Sequence, residues 1–246
     1  MPRVTLLVTC MVDVLAPEVG EAAVRVLRAA GCDVGFEPDQ TCCGQPAWNA
    51  GHAEPAAAVA RTTLAALERA LDAGAELVVV PAGSCATMVR RFWPELFRVV
   101  GDEEGARRAE RVAAVTVELS ELLATLELPP LRSTTGQRVA WHHSCHLLRE
   151  LRVRSQPAEV LASIEGTTMV DWADDERCCG FGGLFSVTLP EVSCAMADEK
   201  LASLPACDVL TGADTSCLLH LRTRAEATGR AVEVRHIAEL LDEALP

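Results

Sequence analysis

The chain has 246 residues, half of them apolar, and its 35 acidic against 22 basic side chains give a formal net charge of −13. That balance excludes a general nucleic-acid or anionic-membrane surface, which needs an excess of Lys and Arg, and no apolar run reaches the roughly 18 residues of a membrane span. Eleven cysteines behind an N-terminus without a signal-peptide pattern point to a cytoplasmic protein whose thiols serve metal or redox chemistry, not a disulfide framework.

In chain order, Val4 to Thr9 is a short β-branched apolar run, expected as a strand buried on both faces, with Cys10 just past its end. Pro17 opens a helix that puts Val19, Ala22, Ala23, Val26, Leu27 and Ala30 on one face and stops at Gly31. A second strand is expected over Cys32 to Phe36, broken by Glu37-Pro38-Asp39, and the Cys42-Cys43-Gly44 turn comes next. Ala53 to Ala73 reads as an alanine-rich helix ending at Gly74, Leu77 to Val80 as a continuous apolar strand, and Pro81 to Ser84 as a turn leading to Cys85. The charged run Gly101 to Arg111 precedes a helix at Leu119 to Leu123, and Leu128 to Gly136 has linker composition. Beyond it come Val139 to His146, the second Cys178-Cys179-Gly180 turn, a helical stretch from Leu189 to Leu201, Val209 to Cys217, and a final helix at Ile237 to Leu241.

The cysteines repeat. Cys10, Cys42, Cys43 and Cys85 are succeeded in the same order by Cys145, Cys178, Cys179 and Cys217; 31 residues separate Cys10 from Cys42, and 32 separate Cys145 from Cys178. The flanks match as well, LVVVPAGSC ending at Cys85 and VLTGADTSC ending at Cys217. An internal repeat of this kind predicts two similar lobes, 1–130 and 137–246, joined by a linker at about 129–136. Alternating strands and helices make each lobe an α/β unit, a mainly parallel sheet flanked by helices. Ligands of such sheets collect beyond the carboxyl ends of the strands, so each set of four thiols is expected to converge there on one metal centre. The first lobe has the longer stretch between its last cysteine and its final helix, expected as one more covering helix or a docking surface.

Two chemistries compete for the thiols. A structural zinc site draws on two short CxxC-like pairs, and this chain has no CxxC. Adjacent cysteines diverge and suit a larger iron-sulfur cluster better, with zinc or a metal-free thiol pair as alternatives. His142, His143 and His146 surround Cys145, where a histidine can ligate iron, hydrogen-bond to a cluster or move protons; strand alternation makes His142 the one expected to be simply packed. Cys32, Cys194 and Cys207 fall outside the repeat and are not expected to be ligands. Gly180-Phe181-Gly182-Gly183 lacks the strand and helix context of a phosphate loop.

The words Val8-Thr9-Cys10-Met11-Val12-Asp13, Cys42-Cys43-Gly44-Gln45-Pro46-Ala47, Gly83-Ser84-Cys85, His143-Ser144-Cys145-His146 and Cys178-Cys179-Gly180-Phe181-Gly182-Gly183 resemble the cysteine-rich CCG domain. That domain is present twice in one component of heterodisulfide reductase and in glycolate oxidase iron-sulfur subunits, and the closer resemblance is to the lactate-utilisation branch of the family. It extends through Phe185-Ser186-Val187, Asp198-Glu199-Lys200 and His236-Ile237-Ala238-Glu239, essentially the whole chain. The resemblance implies an oxidoreductase subunit, inactive alone, that carries two iron-sulfur clusters, one per lobe. Its implied partners in oxidising L-lactate to pyruvate are a ferredoxin-like iron-sulfur protein and a third, smaller protein. In the heterodisulfide reductase relatives a fifth cysteine ends each motif and serves a non-cubane cluster; here Met88 and His220 occupy those positions, leaving four cysteines per site, enough for an ordinary [4Fe-4S] cube.

Oxidation of a 2-hydroxy acid needs a base for the hydroxyl and usually an arginine for the carboxylate. Arg149, Arg152 or Arg177 and His143 or His146 would fill those roles if substrate bound here; the simpler role is electron relay. The alternatives are a heterodisulfide or thiol reductase working at the cluster, a glycolate oxidase-type subunit, and a non-catalytic zinc scaffold.

Overall fold

A computed structural model describes all of residues 1–246. The first half runs β1 (Arg3–Leu6), α1 (Cys10–Leu15), α2 (Pro17–Ala29), β2 (Asp33–Gly35), α3 (Gln45–Asn49), α4 (Ala53–Asp72), β3 (Leu77–Val80), α5 (Gly83–Thr87), a π-helical turn at Met88–Phe92, α6 (Trp93–Val99), α7 (Glu103–Ala114), β4 (Thr116–Glu118) and α8 (Leu119–Leu123). The second runs β5 (Leu131–His142), a π-helical turn at His146–Glu150, α9 (Gln156–Ala162), β6 (Ile164–Met169), α10 (Phe185–Thr188), α11 (Pro190–Ala202), β7 (Val209–Gly212), α12 (Thr215–Ala227), β8 (Glu233–His236) and α13 (Ile237–Glu243).

Each half is a four-stranded, wholly parallel sheet, ordered β2-β1-β3-β4 in the first and β6-β5-β7-β8 in the second. The orders are equivalent position by position, as a duplication requires. The local physics is plain in α2, where Pro17 sits in the first turn, Val19, Ala22, Ala23, Val26 and Leu27 are buried on one face, and the chain leaves through Gly31 at φ +83°. Strand β3 has the bounds its apolar run predicts, as does helix α8.

Other bounds differ. The expected turn at Pro81 to Ser84 is cut short because α5 starts at Gly83, so Cys85 lies in a first helical turn; Cys10 likewise opens α1. Much of the segment read as linker is strand: Leu131 to Gly136 belongs to β5, with a register irregularity between Arg132 and Gln137 where it pairs with β6. Its residues are polar because this end of the strand is largely solvent-facing, which removes the apolar alternation that would have marked it. The extra stretch of the first half contains α7, whose Ala106, Ala109 and Val112 are buried in the core shared with α4 and α6. It is a covering helix.

The halves pack reciprocally. α2 packs on α13 and α8 on α9, while α5 meets the π turn at His146–Glu150 and α1 meets α12. Each contact is the duplicate of another with the halves exchanged, the pattern of an isologous dimer made within one chain. One core cluster consequently runs through both halves, from Val4, Leu6 and Leu27 to Trp141, Ile164 and Leu241.

Candidate metal centre

The two double-cysteine turns are shaped by the glycine that ends each of them. Gly44 and Gly180 hold φ of +85° and +87°, and a Cβ on either would lie 2.7 Å from the Ala56 carbonyl oxygen or 2.5 Å from that of Ser193. Only glycine supplies both the left-handed backbone and the close approach to α4 or α11. The freed backbone turns inward: Gly44 N–H donates to Cys42 Sγ at 3.4 Å, Gly180 N–H to Cys178 Sγ at 3.4 Å, and Phe181 N–H to Cys179 Sγ at 3.5 Å. Buried Trp93 donates its indole N–H to the Cys43 carbonyl at 2.8 Å, tying the first turn to α6.

With the turns fixed, the expected thiols meet. Cys10 and Cys42 have their sulfurs 3.5 Å apart, and Cys43 and Cys85 3.3 Å apart. In the second half the sulfurs of Cys179 and Cys217 lie within 4.8 Å of one another, and Cys145 and Cys178 line the same cavity beside them. All are free thiols. Moreover, the two sets do not lie in separate clefts. All eight cysteines of the two sets line one cavity of about 330 Å³ between the halves, together with Met11, Gln45, Ser84, His146, Leu184 and Asp214, among others.

The charge pattern within each set is uneven. Hydrogen bonds from Cys10 and Cys43 hold Cys42 well below the usual thiol range, and those from Cys145 and Cys179 do the same for Cys178. The same contacts, together with burial, push Cys10, Cys43, Cys145 and Cys179 up. Each set therefore favours one thiolate and resists further ones, because negative charges crowd one another. A bound cation removes that resistance, since metal binding deprotonates its thiol ligands. Four free, convergent thiols per set around a glycine-shaped turn are a donor set that fits a metal or iron-sulfur group.

The histidines separate into three roles. His146 lines the cavity, with Nδ1 at 3.6 Å from Cys145 Sγ and Nε2 at 3.3 Å from Gln45 Nε2, so it bridges the halves. His143 accepts the Trp141 indole N–H at Nδ1 (3.0 Å) and has Asp175 3.6 Å from Nε2; it lies outside the cavity wall. His142 is buried as strand alternation predicts, yet it has a ring nitrogen within 4.8 Å of the sulfurs of Cys179 and Cys217. Met88 is buried in the core and His220 approaches Ser193 at 3.2 Å, so neither faces the cavity.

Cys32, Cys194 and Cys207 are outside the lining, as are Arg149, Arg152 and Arg177. Arg177 instead pairs with Asp174 and Glu199. Sequence reasoning missed Asp214, whose carboxylate accepts Ser84 N–H and Ser216 O–H, each at 2.7 Å, and so joins the halves at the cavity wall. It also missed Lys200, fully buried on α11 with Nζ donating to the carbonyls of Asp174 and Asp175. The signal for Lys200 was helical spacing, since Ser193, Ala197 and Lys200 share the inward face of α11.

The cysteine-rich domain CCG matches the chain twice, over residues 4–90 and 139–222, and each match encloses one set of four thiols. The chain belongs to the CCG cysteine-rich family. Among proteins similar to this CCG chain is Lactate utilization protein A of Exiguobacterium sp. (strain ATCC BAA-1283 / AT1b), 42% identical over 246 residues, 99% of this chain and 98% of the relative. Lactate utilization protein A of Shouchella clausii (strain KSM-K16) is 39% identical and that of Bacillus cereus (strain G9842) 40%, each over 243 residues that cover 98% of both chains. The similarity thus spans both CCG repeats and the segments between them. No helix of the chain is long and apolar enough to cross a membrane.

Proposed function

We propose that this CCG protein is the iron-sulfur electron-transfer subunit of a multi-protein system that oxidises L-lactate to pyruvate. Cys10, Cys42, Cys43 and Cys85 hold one cluster; Cys145, Cys178, Cys179 and Cys217 hold the other. When bound, such a cluster supplies a centre that accepts and gives up electrons one at a time. The chain's own residues do the rest: the thiolates bind, Gly44 and Gly180 shape the turns, Trp93 anchors one of them, and the largely apolar wall limits water.

The observation that carries the relay reading is the composition of the shared cavity. Eight thiols border it, yet no arginine or lysine does, and its one acidic side chain, Asp214, repels a carboxylate. A 2-hydroxy acid is an anion that an active site grips with a cation, so the cavity suits electron passage and the substrate belongs on a partner. The names of the relatives support lactate as the fuel, and a ferredoxin-like iron-sulfur protein fits as the neighbour in the chain of carriers.

The test is anaerobic purification with iron, acid-labile sulfide and zinc measured per chain beside a visible spectrum. About eight irons with matching sulfide are expected, about four per four-cysteine set. Stoichiometric zinc without sulfide would overturn the reading. Cys43→Ser and Cys179→Ser are each expected to lose about half the iron while remaining folded, because the sheets have their own core. Full iron and sulfide in both would remove the ligand assignment.

A further inference from the structure

The duplication supplies an internal control: any feature near one thiol set can be compared with its counterpart near the other. Aligning Cys10 with Cys145 places Leu7 opposite His142, both buried. Aligning Ala56 with Ser193, the residues that a Cβ on Gly44 or Gly180 would strike, places Thr63 opposite Lys200, both fully buried. Aligning Cys85 with Cys217 places Ala82 opposite Asp214. The first set is backed by Leu7, Thr63 and Ala82, the second by His142, Lys200 and Asp214. One is uncharged; the other carries a cation, an anion and an imidazole.

The imidazole is the informative member. His142 is 1% exposed, and neither of its ring nitrogens has a hydrogen-bond partner of normal geometry. Leaving a buried polar group unpaired costs about 1–3 kcal/mol, and the leucine at the duplicate position shows that the fold accommodates an apolar side chain there. What His142 does approach is sulfur, with a ring nitrogen, Cys179 Sγ and Cys217 Sγ all within 4.8 Å of one another. An imidazole always carries at least one ring N–H to give. Lys200 and Asp214 oppose one another in sign, whereas the position in the first half that matches His142 is the apolar Leu7.

We propose that the two thiol sets are unequal electron sites, with His142 backing the thiolates of Cys179 and Cys217 so that the second set is the higher-potential end of the relay. An N–H directed at a ligand sulfur stabilises the extra negative charge of the reduced state, and hydrogen bonds to the sulfurs are among the factors that set cluster potential. His142 acts through the cysteines and is a positioning residue. Electrons then enter at the Cys10, Cys42, Cys43, Cys85 set and leave from the other.

The proposal rests on the iron-sulfur reading, and its test separates the two. Cys43→Ser and Cys179→Ser, prepared without oxygen, each leave one site to be titrated by spectroscopically monitored reduction. The site left in Cys43→Ser is expected to reduce at the higher potential, and equal or reversed potentials would overturn the proposal without touching the iron count. Adding His142→Leu, the residue of the first half, to Cys43→Ser is expected to lower that potential. His142→Gln, which keeps an N–H, is expected to fall between the two. If His142→Leu leaves the potential unmoved, the imidazole is merely packed. Wild-type protein lacking iron and sulfide would instead defeat the iron-sulfur reading and this inference with it.

Discussion

At the scale of single residues, burial decides what the titratable groups do. His236 caps α13 by accepting the Ala238 N–H at Nδ1, a role only the unprotonated ring can fill, and burial pushes it down to about 4. A base whose folded value lies below its unfolded one, about 6.5, contributes stability that is complete above pH 6.5. That contribution is lost as pH falls toward 4, because the unfolded chain then binds the proton more readily. The loss is on the order of 3 kcal/mol. Thermal unfolding of the metal-free protein between pH 7 and pH 4 should show it, and His236→Asn, which caps without titrating in this range, should reduce the slope, leaving the share of the likewise buried His142. A slope that survives His236→Asn unchanged would place the sensitivity elsewhere.

At the scale of elements, most of what the periodicity carries is correct, and the failures share a cause. The apolar face of α2 and the run of β3 are visible because burial repeats at the period of the element. The start of β5 is hidden because Arg132 to Gly136 are polar and largely solvent-facing. Within the site, the cysteine spacing brings out all eight thiols, but Asp214 is a polar letter inside an otherwise ordinary stretch and Lys200 is marked only by its helical spacing from Ser193 and Ala197. Their roles depend on contacts 130 and 26 residues away in sequence. The glycines after the paired cysteines give an element-scale prediction. Gly44→Ala and Gly180→Ala should each cost about 1–3 kcal/mol for the left-handed backbone and more for the collision with α4 or α11. Gly51→Ala, at φ +81° with nothing within 4 Å of its Cβ, should cost only the backbone share. Urea denaturation of the three variants measures the difference, and equal losses would deny the turns their close packing.

At the scale of the whole molecule, the reciprocal packing was not legible, since no window of sequence reaches from Arg25 to Asp242, whose ion pair at 2.8 Å ties α2 to α13. A core that runs through both sheets predicts a single unfolding transition by calorimetry; two resolved transitions would mean that the halves are thermodynamically separate. The contact at the cavity is tighter still. A Cβ on Gly83 would sit 2.6 Å from Leu147 Cβ and 3.0 Å from Ser144 Oγ, so Gly83→Ala should force the halves apart locally. The cost should be about 1–3 kcal/mol, as for other overpacked sites, with loss from both sets of the iron proposed to bind there. Loss from one set alone would show that each holds its shape unaided.

Because the cavity borrows its walls from both halves, its completion is tied to the order of synthesis. The first four thiols leave the ribosome long before Cys145, Ser144 and Asp214 exist to cover them, and N-terminal segments fold first as a chain emerges. The last-made residues of the second repeat close the chamber over the first. For that interval the nascent protein displays a half-built, oxidisable nest of sulfur, and a chain terminated early would display it permanently.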